Sequence, residues 1–221
     1  MMFLNKNKNK NKNKNKNKNK IFCIGRNKTG TTSLEQVLQS FNYKLGSQEK
    51  AEFLLNDWAK RDFSKIINLC KSADAFQDIP FSNDFTFQAL DTAFPNSKFI
   101  LTIRNSAEEW YESHVRFHTK LIGKNRLPTA DDLKAFSYRY KGWLWEEEML
   151  VYNIDETTLY NKDIYIQHYY NHNARVIEYF RCRKNDLLVL NIGSPLAMRS
   201  LCDFLGVDFL GQEFPHLNQS S

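Results

Sequence analysis

Short apolar runs alternate along this chain with segments whose apolar residues recur at helical spacing. Residues 21–24 (Ile-Phe-Cys-Ile) read as a buried parallel strand, and Leu34, Val37, Leu38 and Phe41 mark a helix just after it. Residues 43–46 fit a short second strand closed by Gly46. Residues 48–72 look helical, with a break near Asp62. Residues 75–80 read as a third strand stopped by Pro80, and 85–94 as a short amphipathic helix ahead of Pro95. The plainest strand is 98–104, Lys-Phe-Ile-Leu-Thr-Ile-Arg. Ser106 and Glu109 then make the S-x-x-E pattern of a capping box, opening a helix that ends near Gly123. A polar loop over 124–134, a partly helical aromatic stretch over 135–152 and one long helix over most of 155–183 follow. Residues 187–192 form a last strand. A final helix starts at Pro195 and ends at Gly206.

This order predicts an α/β domain with a central parallel sheet of about four or five strands, flanked by helices on both faces. Ligands of such sheets bind at the carboxyl ends of the strands. That rule puts residues 25–32, Asp78 and Arg104 on one rim.

Composition changes the picture at the N-terminus. Residues 5–20 alternate Asn and Lys strictly, have no apolar face, and are expected to be a disordered low-complexity tail ahead of a single domain over 21–221. The tail's eight Lys account for the basic balance: the formal charge is +6 with them and −2 without. The basic character therefore says little about the domain, and no specific nucleic-acid partner is expected. Cys23, Cys70, Cys182 and Cys202 form no C-x-x-C pair, so a disulfide framework is not expected. No stretch nears the ~18 apolar residues of a membrane span, and residues 1–4 are too short for a signal sequence. A cytoplasmic location is the expectation.

The chemistry centres on residues 25–33, Gly-Arg-Asn-Lys-Thr-Gly-Thr-Thr-Ser, between the first strand and the first helix. Strand, small-residue loop and helix N-terminus make an anion site, because the first helical N–H groups lack internal partners and the helix dipole adds positive charge. Lys28, Thr29, Thr31 and Thr32 add donors. A structural glycine turn is the plainer alternative. The Lys stands two residues before the second Gly, unlike the G-x-x-x-x-G-K-[ST] of the NTPases. The strongest strand ends in Arg104 where an NTPase would place a Mg²⁺ carboxylate. An Arg there suits a second anion, and Ser113 offers a hydroxyl to the same one. Asp78 is the acid left on the rim, as a general base or as a plain turn residue before Pro80. Glu49 and His114 are weaker base candidates, with His114 read as a solvated or capping residue. His168 and His172 stand four apart, fit for a metal or for packing. The aromatics of 136–152 suit stacking on a planar acceptor or helix packing.

Residues 28–32 resemble the 5′-phosphosulfate motif of the P-loop sulfotransferases that use 3′-phosphoadenosine 5′-phosphosulfate (PAPS). Residues 94–104 with Trp110-Tyr111-Glu112-Ser113 resemble the family's 3′-phosphate motif, and the likeness extends over roughly 21–218. The Arg104-to-Ser113 spacing is nine residues, and Glu112 occupies the more usual eighth position. The Arg-Lys-Gly clamp of the cytosolic subclass is missing.

The resemblance implies a P-loop three-layer fold and sulfuryl transfer from PAPS to a hydroxyl or amine of a small-molecule or glycan acceptor. Arg26, Asn27, Lys28, Thr29, Gly30, Thr31 and Thr32 would hold the donor at one end, and Arg104 and Ser113 at the other. Lys28 would neutralise the leaving phosphate and Asp78 would be the base. No metal is expected. A nucleotide-dependent kinase or NTPase of the same fold, and a catalytically inactive nucleotide-binding module, are the alternatives.

Overall fold

The computed structural model describes residues 19–215. Residues 5–18 of the Asn-Lys tract and the C-terminal residues 216–221, His216 included, lie outside the described residues. The elements are β1 (Ile21–Cys23), α1 (Thr31–Ser40), α2 (Gln48–Glu52), α3 (Leu55–Ala59), α4 (Ser64–Leu69), β2 (Ala75–Phe76), α5 (Thr86–Ala93), β3 (Lys98–Ile103), α6 (Ala107–Ile122), α7 (Ala130–Ala135), α8 (Trp143–Tyr152), α9 (Lys162–Tyr179), β4 (Leu187–Asn191) and α10 (Ala197–Leu205).

The four strands form one parallel sheet in the order β2-β1-β3-β4. Side chains alternate between its faces. Ile21, Cys23, Ala75, Ile100 and Leu190 pack on one side with Leu34, Val37 and Leu38 of α1 and Ala197, Met198, Leu201 and Cys202 of α10. Phe22, Ile24, Phe76, Phe99 and Leu101 pack on the other, under the helices between α2 and α9. Three layers result, as the alternating strands and helices predict. On the larger face Phe22 touches Phe99 and Phe76 at ring separations of 5.5 and 5.9 Å. The chain leaves β1 toward β2 on one side and returns to β3 on the other, so the sheet's direction of winding switches at β1.

Several elements differ from the sequence expectation. Residues 43–46 contribute a single bridge, Leu45 to Ala75, rather than a strand. β2 stops after Phe76 because Asp78 takes a left-handed φ of 54°. Ser106 accepts from Glu109 N (3.0 Å), but the Glu109 carboxylate turns to Arg104 and Asn105, so the capping box is half made. A complete box sits instead at Thr129 and Asp132, where α7 interrupts the expected polar loop. The long C-terminal helix is confined to α9. Ahead of it, the Asp155 carboxylate accepts from Thr157 and Thr158 and closes a turn.

The strand β1 ends against β3 with no room for a side chain. A Cβ on Gly25 would lie 2.2–2.5 Å from Thr102 Oγ1, O and N. Gly25→Ala is expected to cost about 3 kcal/mol or more by forcing β1 and β3 apart. Urea unfolding measures this, and a variant as stable as the parent would contradict the packing.

Candidate active site

The loop from Gly25 to Gly30 is shaped by three donors pulling on three successive carbonyls. Thr29 Oγ1 donates to Arg26 O (2.6 Å), Trp110 Nε1 to Asn27 O (3.0 Å) and Arg104 Nε to Lys28 O (2.7 Å). The donors come from the loop itself, from α6 and from the end of β3. With the carbonyls engaged, the backbone N–H groups of residues 26–33 have no protein acceptor among the described residues. Gly30 caps α1 with φ 95°, where a Cβ would meet Ile192 Cδ1 at 2.8 Å. No side chain caps α1. The loop is therefore a concave run of free amides at a helix N-terminus.

The expected donor-binding residues take different positions. Arg26 turns inward and is 2% exposed. Its guanidinium donates to Asn83 Oδ1 (3.3 Å) and Asp84 Oδ1 (3.2 Å) and lies against His168. Burial pushes Arg26 down and Asp84 up. The hydrogen bond from His172 and the Arg26 charge outweigh burial at Asp84, which sits well below the usual carboxylate range. The ring nitrogens of His172 lie 2.8 Å from Ile24 O (Nε2) and 3.1 Å from Asp84 Oδ1 (Nδ1). The pair His168 and His172 thus serves packing and lashes α9 to the loop. Thr29 is also buried, with its hydroxyl against that of Thr102. Asn27 faces the cleft described next. Thr31 is buried, Thr32 is exposed, and Ser33 donates to Pro215 O (2.8 Å).

Beside the loop lies a cleft of about 430 Å³, open solvent included, bordered by Lys28, Asp78, Glu52, Glu147, Phe117, His118, Tyr138 and Trp143. Lys28 and Asp78 share two features. Both hold left-handed φ values, 65° and 54°, which a side chain other than Gly rarely adopts. Both are largely withdrawn from water. The Lys28 ammonium rests 3.2 Å from the centre of the Phe117 ring. Burial pushes it down, and the Asp78 charge opposes that in part. Asp78 Oδ2 accepts from Thr31 Oγ1 (3.3 Å), and its Oδ1 is buried with no partner. Burial raises Asp78 to about 6. Lys28 and Thr31 pull it down, and the Glu52 and Glu35 charges add to the rise.

The other side of the cleft holds acids that sequence reasoning passed over. Glu49 faces solvent on α2, and Glu52, one turn later, reaches the cleft in an ion pair with Arg139. Glu147 is 2% exposed; burial and the neighbouring Glu148 raise it well above the usual range. His114, expected in solvent, is fully buried in the core with His118 and Glu148. Its spacing from His118, four residues on a helix, was the available signal. Of the aromatic stretch, Tyr138 and Trp143 face the cleft, while Tyr152 packs inside, stacked on Tyr165 at 4.4 Å.

Arg104 sits at the rim with its side chain 32% exposed, its backbone N donating to Tyr169 Oη (3.0 Å) and its guanidinium paired with Glu109 at 3.2 Å. Ser113 lies four residues after Glu109 and so on the same face of α6, half-buried. Glu112 is exposed. The structure thus brings Lys28, Asp78 and Thr31 together and joins Arg104 to the same loop through Lys28 O.

The family model for the sulfotransferase domain matches residues 20–221. A search of curated proteins finds no match. The family match begins one residue before β1 and takes in the loop, the cleft and all four strands, so the chain belongs to the sulfotransferase domain family and is a transferase by that membership.

Proposed function

We propose that the protein transfers a sulfuryl group from PAPS to a hydroxyl or amine of a small acceptor, a sugar hydroxyl included. The observation that carries the reading is the run of free N–H groups over residues 26–33, with Lys28 and Asp78 facing one cleft beside it. The amides and the α1 dipole would hold the 5′-phosphosulfate, with Arg104 and Ser113 at the 3′-phosphate. Arg26 and Thr29 enter through their backbone, since their side chains are spent inside. The acceptor would enter the cleft against Tyr138 and Trp143.

In the transfer, the acceptor oxygen or nitrogen forms a bond to sulfur as the bond from sulfur to the 5′-phosphate oxygen breaks. The acceptor's proton passes to Asp78, and 3′,5′-adenosine bisphosphate leaves with its new charge met by Lys28 and the loop amides. The buried, unpartnered Oδ1 of Asp78 is where such a proton would land. One contact favours a second reading. A loop Thr hydroxyl on a strand-end Asp, as Thr31 is on Asp78, is also the pairing that holds Mg²⁺ in nucleoside-triphosphate enzymes.

Thermal shift separates the two. Stabilisation by 3′,5′-adenosine bisphosphate without Mg²⁺ is expected; stabilisation only by ATP with Mg²⁺ would reverse the assignment. Lys28→Ala is expected to lower kcat about 100- to 1,000-fold. Arg104→Ala should weaken bisphosphate binding about 10- to 100-fold, with Arg104→Lys recovering only part, because a Lys lacks the Nε that holds Lys28 O. Parent-like kinetics and binding in these variants would refute the roles.

Asp78 gives a pH signature. As the base, it must be ionised, so kcat/KM should fall below about pH 6 and Asp78→Asn should remove both the limb and most of the rate. Its folded-state pKa lies above the unfolded value of about 3.9, so keeping it ionised costs stability. That cost is absent below pH ~4, grows between there and about 6, and is complete above. Asp78→Asn should therefore raise stability on the order of 2 kcal/mol at pH 8 and leave it unchanged at pH 4. Equal stability of variant and parent at both values would contradict the burial of an ionised Asp78.

A further inference from the structure

A second group of chemically able side chains lies behind the cleft and takes no part in the transfer just described. His114 and His118 stand four apart on one face of α6, and Glu148 reaches them from α8. Glu148 Oε1 is 2.9 Å from His114 Nε2 and 3.8 Å from His118 Nε2, and the three side chains are at most 1% exposed. One ligand atom from each lies within 4.8 Å of the others, and this is the one such His/Cys/Asp/Glu group among the described residues.

Two features set the group apart from an ordinary buried ion pair. First, both ring nitrogens of His114 and Glu148 Oε1 are buried without a hydrogen-bond partner, since the 2.9 Å approach is poorly aligned for one. Orphaned polar atoms in a core are costly and uncommon. Second, the atoms pointing away from the group are held. Tyr160 Oη lies 2.8 Å from His118 Nδ1, and Tyr165 Oη donates to Glu148 Oε2. That leaves His118 Nε2 and Glu148 Oε1 facing inward, the arrangement by which outer partners orient metal ligands.

We propose that His114, His118 and Glu148 form a divalent-cation site, for Zn²⁺ by its donor set, that ties α6 to α8 behind the acceptor cleft. Two imidazoles and one carboxylate suit Zn²⁺ rather than Mg²⁺ or Ca²⁺, which take oxygen ligands. Bonds of about 2.0–2.1 Å in a tetrahedron put donor atoms roughly 3.3 Å apart. The 2.9 and 3.8 Å from Glu148 Oε1 to the two imidazoles straddle that spacing, and all three ligand atoms lie within 4.8 Å of one another, a gap that bound metal would draw in. His118 borders the cleft, which is the path from solvent. Its neighbour Phe117 carries the Lys28 ammonium, so the cation would steady the wall against which Lys28 rests. The sequence leads to no metal anywhere in the chain; this site would depart from that expectation and lies apart from the transfer step.

The test uses the full chain without nucleotide, so it reads independently of the sulfuryl-transfer proposal. After dialysis against a chelator, Co²⁺ titration should give visible absorption that saturates at one equivalent and is displaced by Zn²⁺. The melting temperature should rise by about 5 °C or more at a hundredfold excess over Kd. His118→Ala and Glu148→Gln should lose both responses, whereas His168→Ala should keep them. Should the first two variants fail to fold, X-ray absorption of the Zn²⁺-loaded parent decides, with two imidazoles and one carboxylate oxygen expected. No saturable binding by the parent, binding unchanged in His118→Ala, or a ligand set without two imidazoles would each overturn the site.

Discussion

The constraint on which this site depends is the satisfaction of three successive carbonyls. Arg26, Asn27 and Lys28 each have their C=O tied to a side-chain donor of the protein. A loop in water would leave carbonyls and amides to solvent alike. Here the carbonyls are drawn to Thr29, Trp110 and Arg104, and the amide edge is left for a ligand. Two of those donors come from the end of β3 and the helix after it. The close approach of β1 and β3 at Gly25 is therefore part of the same device, because it sets the distance over which Arg104 and Trp110 reach back.

The charges around the loop are divided by position. Arg26, buried under α9, pairs with the half-buried Asp84, and their work is to hold the chain between β1 and α5 in one arrangement. Losing Asp84 would strand the Arg26 guanidinium in the core, which makes the pair a strong restraint whatever its net contribution to stability. Lys28 and Asp78 are withdrawn from water without being saturated: an ammonium on an aromatic ring, a carboxylate with one bare oxygen. Both are held in left-handed backbone conformations that the surrounding packing must sustain. Unspent charge in strained positions costs stability, and the proposed transfer is what would use it.

Much of this was legible in the sequence. The order strand, glycine loop, helix around residues 21–41 reports its own structure, because each part follows from local periodicity. Arg104 was legible because it ends the plainest strand. The loop's side chains were not equally legible. Arg26 and Thr29 look like ligand donors by position, and only their tertiary partners, Asp84 with His168 and Thr102, draw them inward. The acids of α8 were missed for a similar reason. A Trp-Glu-Glu-Glu run reads as a solvated face, whereas Glu148 is buried against His114 and His118 of α6 and Tyr165 of α9, and Glu147 is buried beside the cleft. α7 was missed because its capping box uses Asp132 in place of Glu or Gln. His168 and His172 and the pair His114 and His118 have the same spacing, and nothing local tells which pair meets a carboxylate with an unpartnered oxygen.

The proposed function stands on the amides of residues 26–33 facing a phosphate. Amide chemical shifts of isotopically labelled protein during titration with 3′,5′-adenosine bisphosphate test it most directly. Saturable shifts concentrated on residues 26–33 are expected, with the Arg104 side chain shifting in parallel and no requirement for Mg²⁺. Shifts that leave these amides unmoved while the bisphosphate binds elsewhere, or no binding at all, would contradict it.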